Sequence, residues 1–117
     1  LVVLVKRTTA EPLARSVVKC DTFWRRLRGL MFRPRLTVDE AYLFTFPSES
    51  AAAASVHMMF VFFPIALVWL DGCQRVVDTR LARPFGLWYA PCRPAKYLIE
   101  GAPELLDLVK VGDELEF

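Results

Sequence analysis

The chain has 117 residues, 55% of them hydrophobic and 24% charged, with a formal net charge of +2. The length fits a single domain, 1–117, and the composition excludes a disordered chain of low hydrophobicity. The small net charge points to no partner, but its distribution is uneven. Residues 1–35 hold nine Lys/Arg against Glu11 and Asp21, and residues 98–117 hold six acids against Lys110. The expectation is that the two ends meet in the fold and neutralise one another.

In chain order, Leu1–Val5 is apolar and β-branched and reads as a strand, and Ser16–Lys19 as a second short one. Thr22–Met31 reads as a helix capped by Asp21 or Thr22, with Phe23, Leu27, Leu30 and Met31 on one apolar stripe. Arg25 and Arg28 lie on its other side. Tyr42–Phe46 alternates as a strand, and 47–54, with Pro47 and four alanines, reads as a loop. Val56–Phe63 and Ile65–Leu70 are aromatic and β-branched runs divided by Pro64, and Asp71-Gly72 is a hairpin turn into Arg75–Thr79. Tyr97–Ile99 is a further strand, Pro103–Val109 a short helix with Pro in its first turn, and Glu114–Phe117 a closing strand. Turn signals recur about every ten residues. The expected fold is therefore mainly β, a small β-sandwich or barrel with one or two short helices.

Residues 50–70 contain no Asp, Glu, Lys or Arg, which makes them a formal membrane-helix candidate by length. Pro64 interrupts the run, its second half favours strands, and Glu49 and Asp71 flank it where basic residues would orient a span. Two buried strands explain it better, and no membrane span is expected. The three cysteines, Cys20, Cys73 and Cys92, form no close pair and no even disulfide set. They read as free thiols. With no signal-peptide pattern at Leu1–Val5, the cytoplasm is the expected compartment.

Three blocks carry a family resemblance. Gly29-Leu30-Met31-Phe32-Arg33, with Leu36 and Glu40-Ala41-Tyr42-Leu43-Phe44, is the first. Val56-His57-Met58-Met59-Phe60 leading to Phe63-Pro64-Ile65 and Leu70-Asp71 is the second. Lys96-Tyr97-Leu98-Ile99-Glu100 and Val111-Gly112-Asp113-Glu114-Leu115 close the set. Over roughly residues 14–117 the chain resembles the bacterial and archaeal domain of unknown function 192 family. The resemblance implies a compact β-rich domain and no reaction, cofactor or catalytic residue. It also implies an Arg and an Asp where this chain has Phe62 and Ala66, and a Leu-Pro-Ala-Gly turn where it has Gly101-Ala102-Pro103. Joint loss of an ion pair is nearly neutral, whereas loss of one partner buries an unpaired charge.

No motif for catalysis stands out. His57 is the only histidine, and on a strand it shares a face with Met59, Val61 and Phe63, which suits a structural ring. A hydrolase-like enzyme would need it beside Cys73, Cys92, Ser55 or a carboxylate such as Asp71 or Asp78. The adjacent pairs Asp39-Glu40 and Asp113-Glu114 point to different sides, and Asp113 after Gly112 reads as a turn residue. One His and three scattered Cys give no metal set, and five dispersed Gly give no phosphate loop, so no metal or cofactor is expected. The cluster Arg25, Arg26, Arg28, Arg33 and Arg35 suggests weak nucleic-acid contact as one alternative, set against pairing with the acidic end. Pro84–Pro91 is aromatic and turn-like, suited to a recognition surface or to a lid on the core. The favoured reading is a non-catalytic binding or accessory domain for a small ligand or protein. Its candidate surface is Arg33, His57, Phe85, Trp88 and Tyr89. The apolar excess makes self-association a further expectation.

Overall fold

The computed structural model describes residues 2–20, 39–50, 63–84 and 89–117. The expected helix at Thr22–Met31 and the strand at Val56–Phe63 lie outside the described residues, apart from Phe63. The described chain is mainly β. Its strands are β1 (Val2–Lys6), β2 (Glu11–Cys20), β3 (Glu40–Ser50), β4 (Ile65–Leu70), β5 (Val76–Ala82), β6 (Ala95–Gly101) and β7 (Leu115–Glu116). They form one seven-stranded sheet in the order β5-β4-β6-β3-β2-β1-β7. All described strand pairs are antiparallel except β2–β3. A parallel pair needs a crossover of a dozen or more residues, and the chain between Cys20 and Glu40 has that length.

The sheet buries both faces, and alternation sorts the side chains between them. Phe44, Phe46, Ile65, Leu67, Trp69 and Leu98 share one apolar cluster. Ala41, Leu43, Ala66, Val68, Leu70 and Ile99 belong to the other, which Leu4, Leu13, Val17, Leu105, Val109 and Leu115 complete. β4 is buried at every position. That double burial is why Ile65–Leu70 reads as an unbroken apolar run, and it accounts for the last part of the uncharged stretch. No helix of the described residues is long and apolar enough to cross a membrane.

Three elements differ from expectation. β2 starts at Glu11 and β3 runs to Ser50, so 47–50 belongs to a strand and not to a loop. Ser50 pairs with Ala95 after an irregularity in the ladder. The last helix is a 3-10 helix, Pro103–Asp107. Its amide bonds span three residues, Leu105 N to Ala102 O and Leu108 N to Leu105 O. It seats Leu105 over a row of small residues in register, Ala41, Gly101 and Ala66. A Cβ on Gly101 would stand 2.9 Å from Leu105 Cδ2, so the Leu105 side chain would have to shift to admit one.

Among the described residues the sheet does not close into a barrel. β7 pairs with β1, and an isolated bridge, Arg75 with Glu114, together with the bonds of Val76 N to Asp113 O, Gly112 N to Val76 O and Leu115 N to Gln74 O, links the chain around β7 to the start of β5. Charges hold this seam. Lys6 pairs with Asp113 (3.3 Å), and Arg7 with Glu114 (2.7 Å) and Glu116 (3.2 Å). Arg75 also reaches Glu114, at 3.2 Å. Lys6 and Arg7 of the basic start therefore meet the acidic end, while the Arg25–Arg35 part of that start lies outside the described residues. Asp113 is a turn residue: its carboxylate accepts from the Lys110 amide at 2.9 Å, in a turn with Gly112 at φ 98°.

Burial pushes the Asp113 carboxyl up, but the Lys110 amide and the Lys6 ammonium outweigh it and hold it below its ordinary value. Arg75 and then Arg7 likewise hold Glu114 low. Both groups are lower in the folded than in the unfolded chain. Their contribution is thus present above the ordinary carboxylate range, about pH 4, and lost as pH falls through the folded values. Urea midpoints measured from neutral to about pH 2.5 should fall less steeply in Asp113→Asn/Glu114→Gln than in the parent.

The β4–β5 hairpin is a three-residue loop. Asp71 O accepts from Gln74 N (3.0 Å), Asp71 N donates to Arg75 O (2.9 Å), and Gln74 sits at φ 64°. The left-handed residue is therefore Gln74 and not Gly72. Gly72 serves a different purpose: its amide donates to Glu49 Oε1 at 2.6 Å, where a Cβ would collide. Gln74→Gly should raise unfolding stability by about 0.5–1 kcal/mol in denaturant titration, because a side chain is strained at that φ.

Candidate functional site

β6 lies between β4 and β3, and its Glu100 is the buried charged side chain among the described residues, 7% exposed. It stands in register between Tyr42 of β3 and Leu67 of β4, and Leu67 in turn stands opposite Arg80 of β5. Tyr42, Glu100, Leu67 and Arg80 thus form one row across four strands, on the face that carries Phe44, Leu98 and Trp69. Glu100 is engaged by neighbours, and no buried side-chain N or O among the described residues lacks a hydrogen-bond partner. A carboxylate in an apolar face costs free energy unless it is paired and bonded.

The row ends at an aromatic post. The Arg80 guanidinium lies over the Tyr89 ring at 5.5 Å from its centre. The Arg83 amide donates to the Tyr89 hydroxyl at 3.1 Å. Tyr89 is half-buried, packed against the core on one side. On the same strand as Arg80, Asp78 pins the following segment to β5. Its Oδ1 accepts from Thr79 N and its Oδ2 from Cys92 N, both at 2.9 Å.

Of the residues the sequence nominated, the structure places Tyr89 on this rim. Arg33, His57, Phe85 and Trp88 lie outside the described residues, as do the Arg25–Arg35 cluster and Phe62. The acids considered beside His57 have other work. Asp71 accepts from Cys73 N (2.9 Å) and Arg75 N (3.0 Å), and Asp78 from the two amides above. Both carboxylates fix chain turns. Cys73 and Cys92 are free and exposed. Among the described residues no group of three His, Cys, Asp or Glu is placed to hold a metal ion.

Glu100 and Arg80 were not among the nominated residues. The signal for Glu100 was an acid inside the apolar stretch Tyr97–Ala102. Only the strand order shows that it is buried, because its neighbours Tyr42 and Leu67 are distant in sequence.

Comparison with known proteins agrees with the three sequence blocks. Residues 4–117 match the family DUF192, described as an uncharacterized ACR. A UPF0127 protein of Pyrococcus furiosus is 39% identical over 113 residues, covering 94% of this chain and 93% of its own. A UPF0127 protein of Thermococcus sibiricus is 37% identical over 116 residues, covering 97% of this chain and 73% of its own. Two crystal structures share the fold. One is a protein of unknown function from Novosphingobium aromaticivorans, with TM-score 0.86, 21% identity, and coverage of 99% of this chain and 84% of that one. The other is a putative transcription regulator from Sinorhizobium meliloti, with TM-score 0.83, 19% identity, and coverage of 97% and 89%. At such identities these two likenesses speak for the fold alone. The matched length, the block order and the level of identity to its relatives lead to one conclusion: this chain belongs to the uncharacterised DUF192 (UPF0127) family.

Proposed function

We propose that the chain is a non-catalytic binding or accessory domain, acting as one domain over 1–117 and contacting a small ligand or a protein partner. Its surface is the rim carrying Tyr89, together with Phe85 and Trp88 of the same loop and with Arg33 and His57. The observation that supports this is Tyr89. Its hydroxyl is tied by the Arg83 amide and its ring by Arg80, yet it remains only half-buried. An aromatic side chain fixed in place before binding loses little conformational freedom when a ligand arrives, which suits a recognition residue. A hydrolase-like reading is less favoured because Asp71 and Asp78 spend their carboxylates on backbone amides. The free thiols Cys73 and Cys92 suit a reducing compartment, and we place the protein in the cytoplasm.

A ligand-observed NMR screen with a fragment library tests the reading. Saturable hits should disappear in Trp88→Ala and weaken in Tyr89→Phe, with thermal melting unchanged. Hits indifferent to both variants would sink the proposed surface. Turnover of p-nitrophenyl acetate that is lost in His57→Ala would replace a binding domain with an enzyme.

A further inference from the structure

We infer that the outer edge of β5 docks a short, extended, acidic segment of a protein partner by strand addition. This rests on the binding-domain reading and names the partner's chemistry. Among the described residues, β5 is the outermost strand on its side of the sheet. Three bonds mark its outward backbone. The Cys92 thiol reaches Val77 O (3.8 Å), the Thr79 amide donates to Asp78 Oδ1 (2.9 Å), and the Arg83 amide donates to the Tyr89 hydroxyl (3.1 Å). Odd-numbered residues here therefore turn their N–H and C=O away from β4, since alternate residues of a strand bond to opposite sides. Each end of the edge is covered by the chain that follows β5, the usual protection of an edge. Between the covered ends lies Leu81, whose outward amide and carbonyl take no such cap among the described residues and whose side chain is 48% exposed.

The charge along this edge has one sign. Residues 75–93 carry Arg75, Arg80, Arg83 and Arg93 against the single acid Asp78. Both Asp78 oxygens are taken by amides, and Arg75 is paired with Glu114. Arg80, Arg83 and Arg93 are exposed. Arg93 follows Cys92, which Asp78 holds at one end of the edge, and Arg83 stands at the other. The five residue steps from 78 to 83 span about 16 Å, so the two guanidinium groups flank a short segment that pairs at Leu81. Main-chain bonds at Leu81 would supply affinity, and guanidinium forks at the flanks would select carboxylates. Two copies of the chain pairing edge to edge would oppose arginine with arginine, so a second copy is the poorer occupant.

The test is amide chemical-shift mapping on the 15N-labelled full chain. The probes are an alternating Glu-Val octapeptide, its Lys-Val counterpart and an oligo-dT strand. The Glu-Val peptide should saturate with shifts at Thr79, Leu81 and Arg83, and the Lys-Val peptide should not. Arg83→Glu/Arg93→Glu should weaken it at least about tenfold, and added salt should weaken it too. Leu81→Pro, which removes the edge amide, should abolish it. The arginine variant alters exposed side chains only and decides the matter where Leu81→Pro fails to fold. Absence of saturable shifts, equal binding of the Lys-Val peptide, or tighter binding of oligo-dT at the same amides overturns the inference. Fragment hits at the Tyr89 rim without peptide shifts at β5 overturn the inference and leave the binding-domain reading standing. Failure of both experiments removes both.

Discussion

Ala66→Asp should lower unfolding stability by about 3–5 kcal/mol, the cost of a buried charge left without its partner. Ala66 has no exposed surface and faces Leu81 and Gly101 across its two neighbouring strands. Leu105 packs on the same row, where even a methyl on Gly101 would collide. The family resemblance implies an Asp here and an Arg at the place of Phe62. Restoring the acid alone re-creates half of that pair inside an apolar cluster. For a domain of this size the loss corresponds to a drop in melting temperature of about 10–20 °C, measurable by calorimetry. Burial raises the pKa of such an acid, so its penalty is smallest below about pH 4 and grows as pH rises. The difference between variant and parent should therefore narrow in acid. Adding Phe62→Arg should recover about 1 kcal/mol or more of the loss, read as the coupling energy of a double-mutant cycle. Strict additivity would show that the two positions do not meet.

The second large effect is expected at Trp69. Its side chain is fully buried, in register between Leu98 of β6 and Asp78 of β5, in the cluster with Phe44, Phe46 and Phe63. Trp69→Ala should cost about 3–5 kcal/mol, from lost burial plus the cavity that surrounding strands cannot fill. Trp69→Phe should cost about 1–2 kcal/mol, because most of the volume and the aromatic contacts remain. Guanidinium unfolding followed by far-UV circular dichroism checks both. A domain holds only about 5–15 kcal/mol in all, so the alanine variant removes a large share of it. Equal costs for the two substitutions would mean that the strands around Trp69 close over the gap.

Much of the fold was legible because its physical causes are local. β4 is apolar at every position since it is buried on both faces, and Pro64 and Asp71 bound it. The meeting of the two chain ends was legible from charge alone. The reach of β2 and β3 was not, because Glu11, Pro12, Glu49 and Ser50 lack the apolar alternation that announces a strand. The last helix was too long in prospect because Leu105, Leu106 and Val109 suggest a helical stripe. In the structure Leu105 alone of the Pro103–Asp107 turn is buried, and Val109 reaches the core from beyond it.

The site was less legible, for a different reason. Glu100 is buried only because β6 is inserted between β3 and β4, strands that precede it by tens of residues. No window of sequence contains that arrangement. Tyr89 was chosen for its aromatic loop, but what holds it is the Arg83 amide and the Arg80 guanidinium. Those bonds depend on how β5 turns at Ala82, which composition does not reveal. Likewise the one-signed edge of β5 becomes visible only once Asp78 is seen to spend both oxygens on amides.

The seam at β7 also sets an order of events during synthesis. β1 is made well before the partner for its outer edge, Leu115–Glu116, which comes more than a hundred residues later, as the 109-residue separation of Arg7 and Glu116 shows. A nascent chain halted before Asp113 has β1 to β6 in hand but lacks the pieces that join β1 to the start of β5. Such a chain would wait with an open edge beside Leu4, and long waits of this kind favour wrong pairings. Ribosome-bound intermediates of this protein should therefore depend on holding chaperones until the residues around Leu115 emerge.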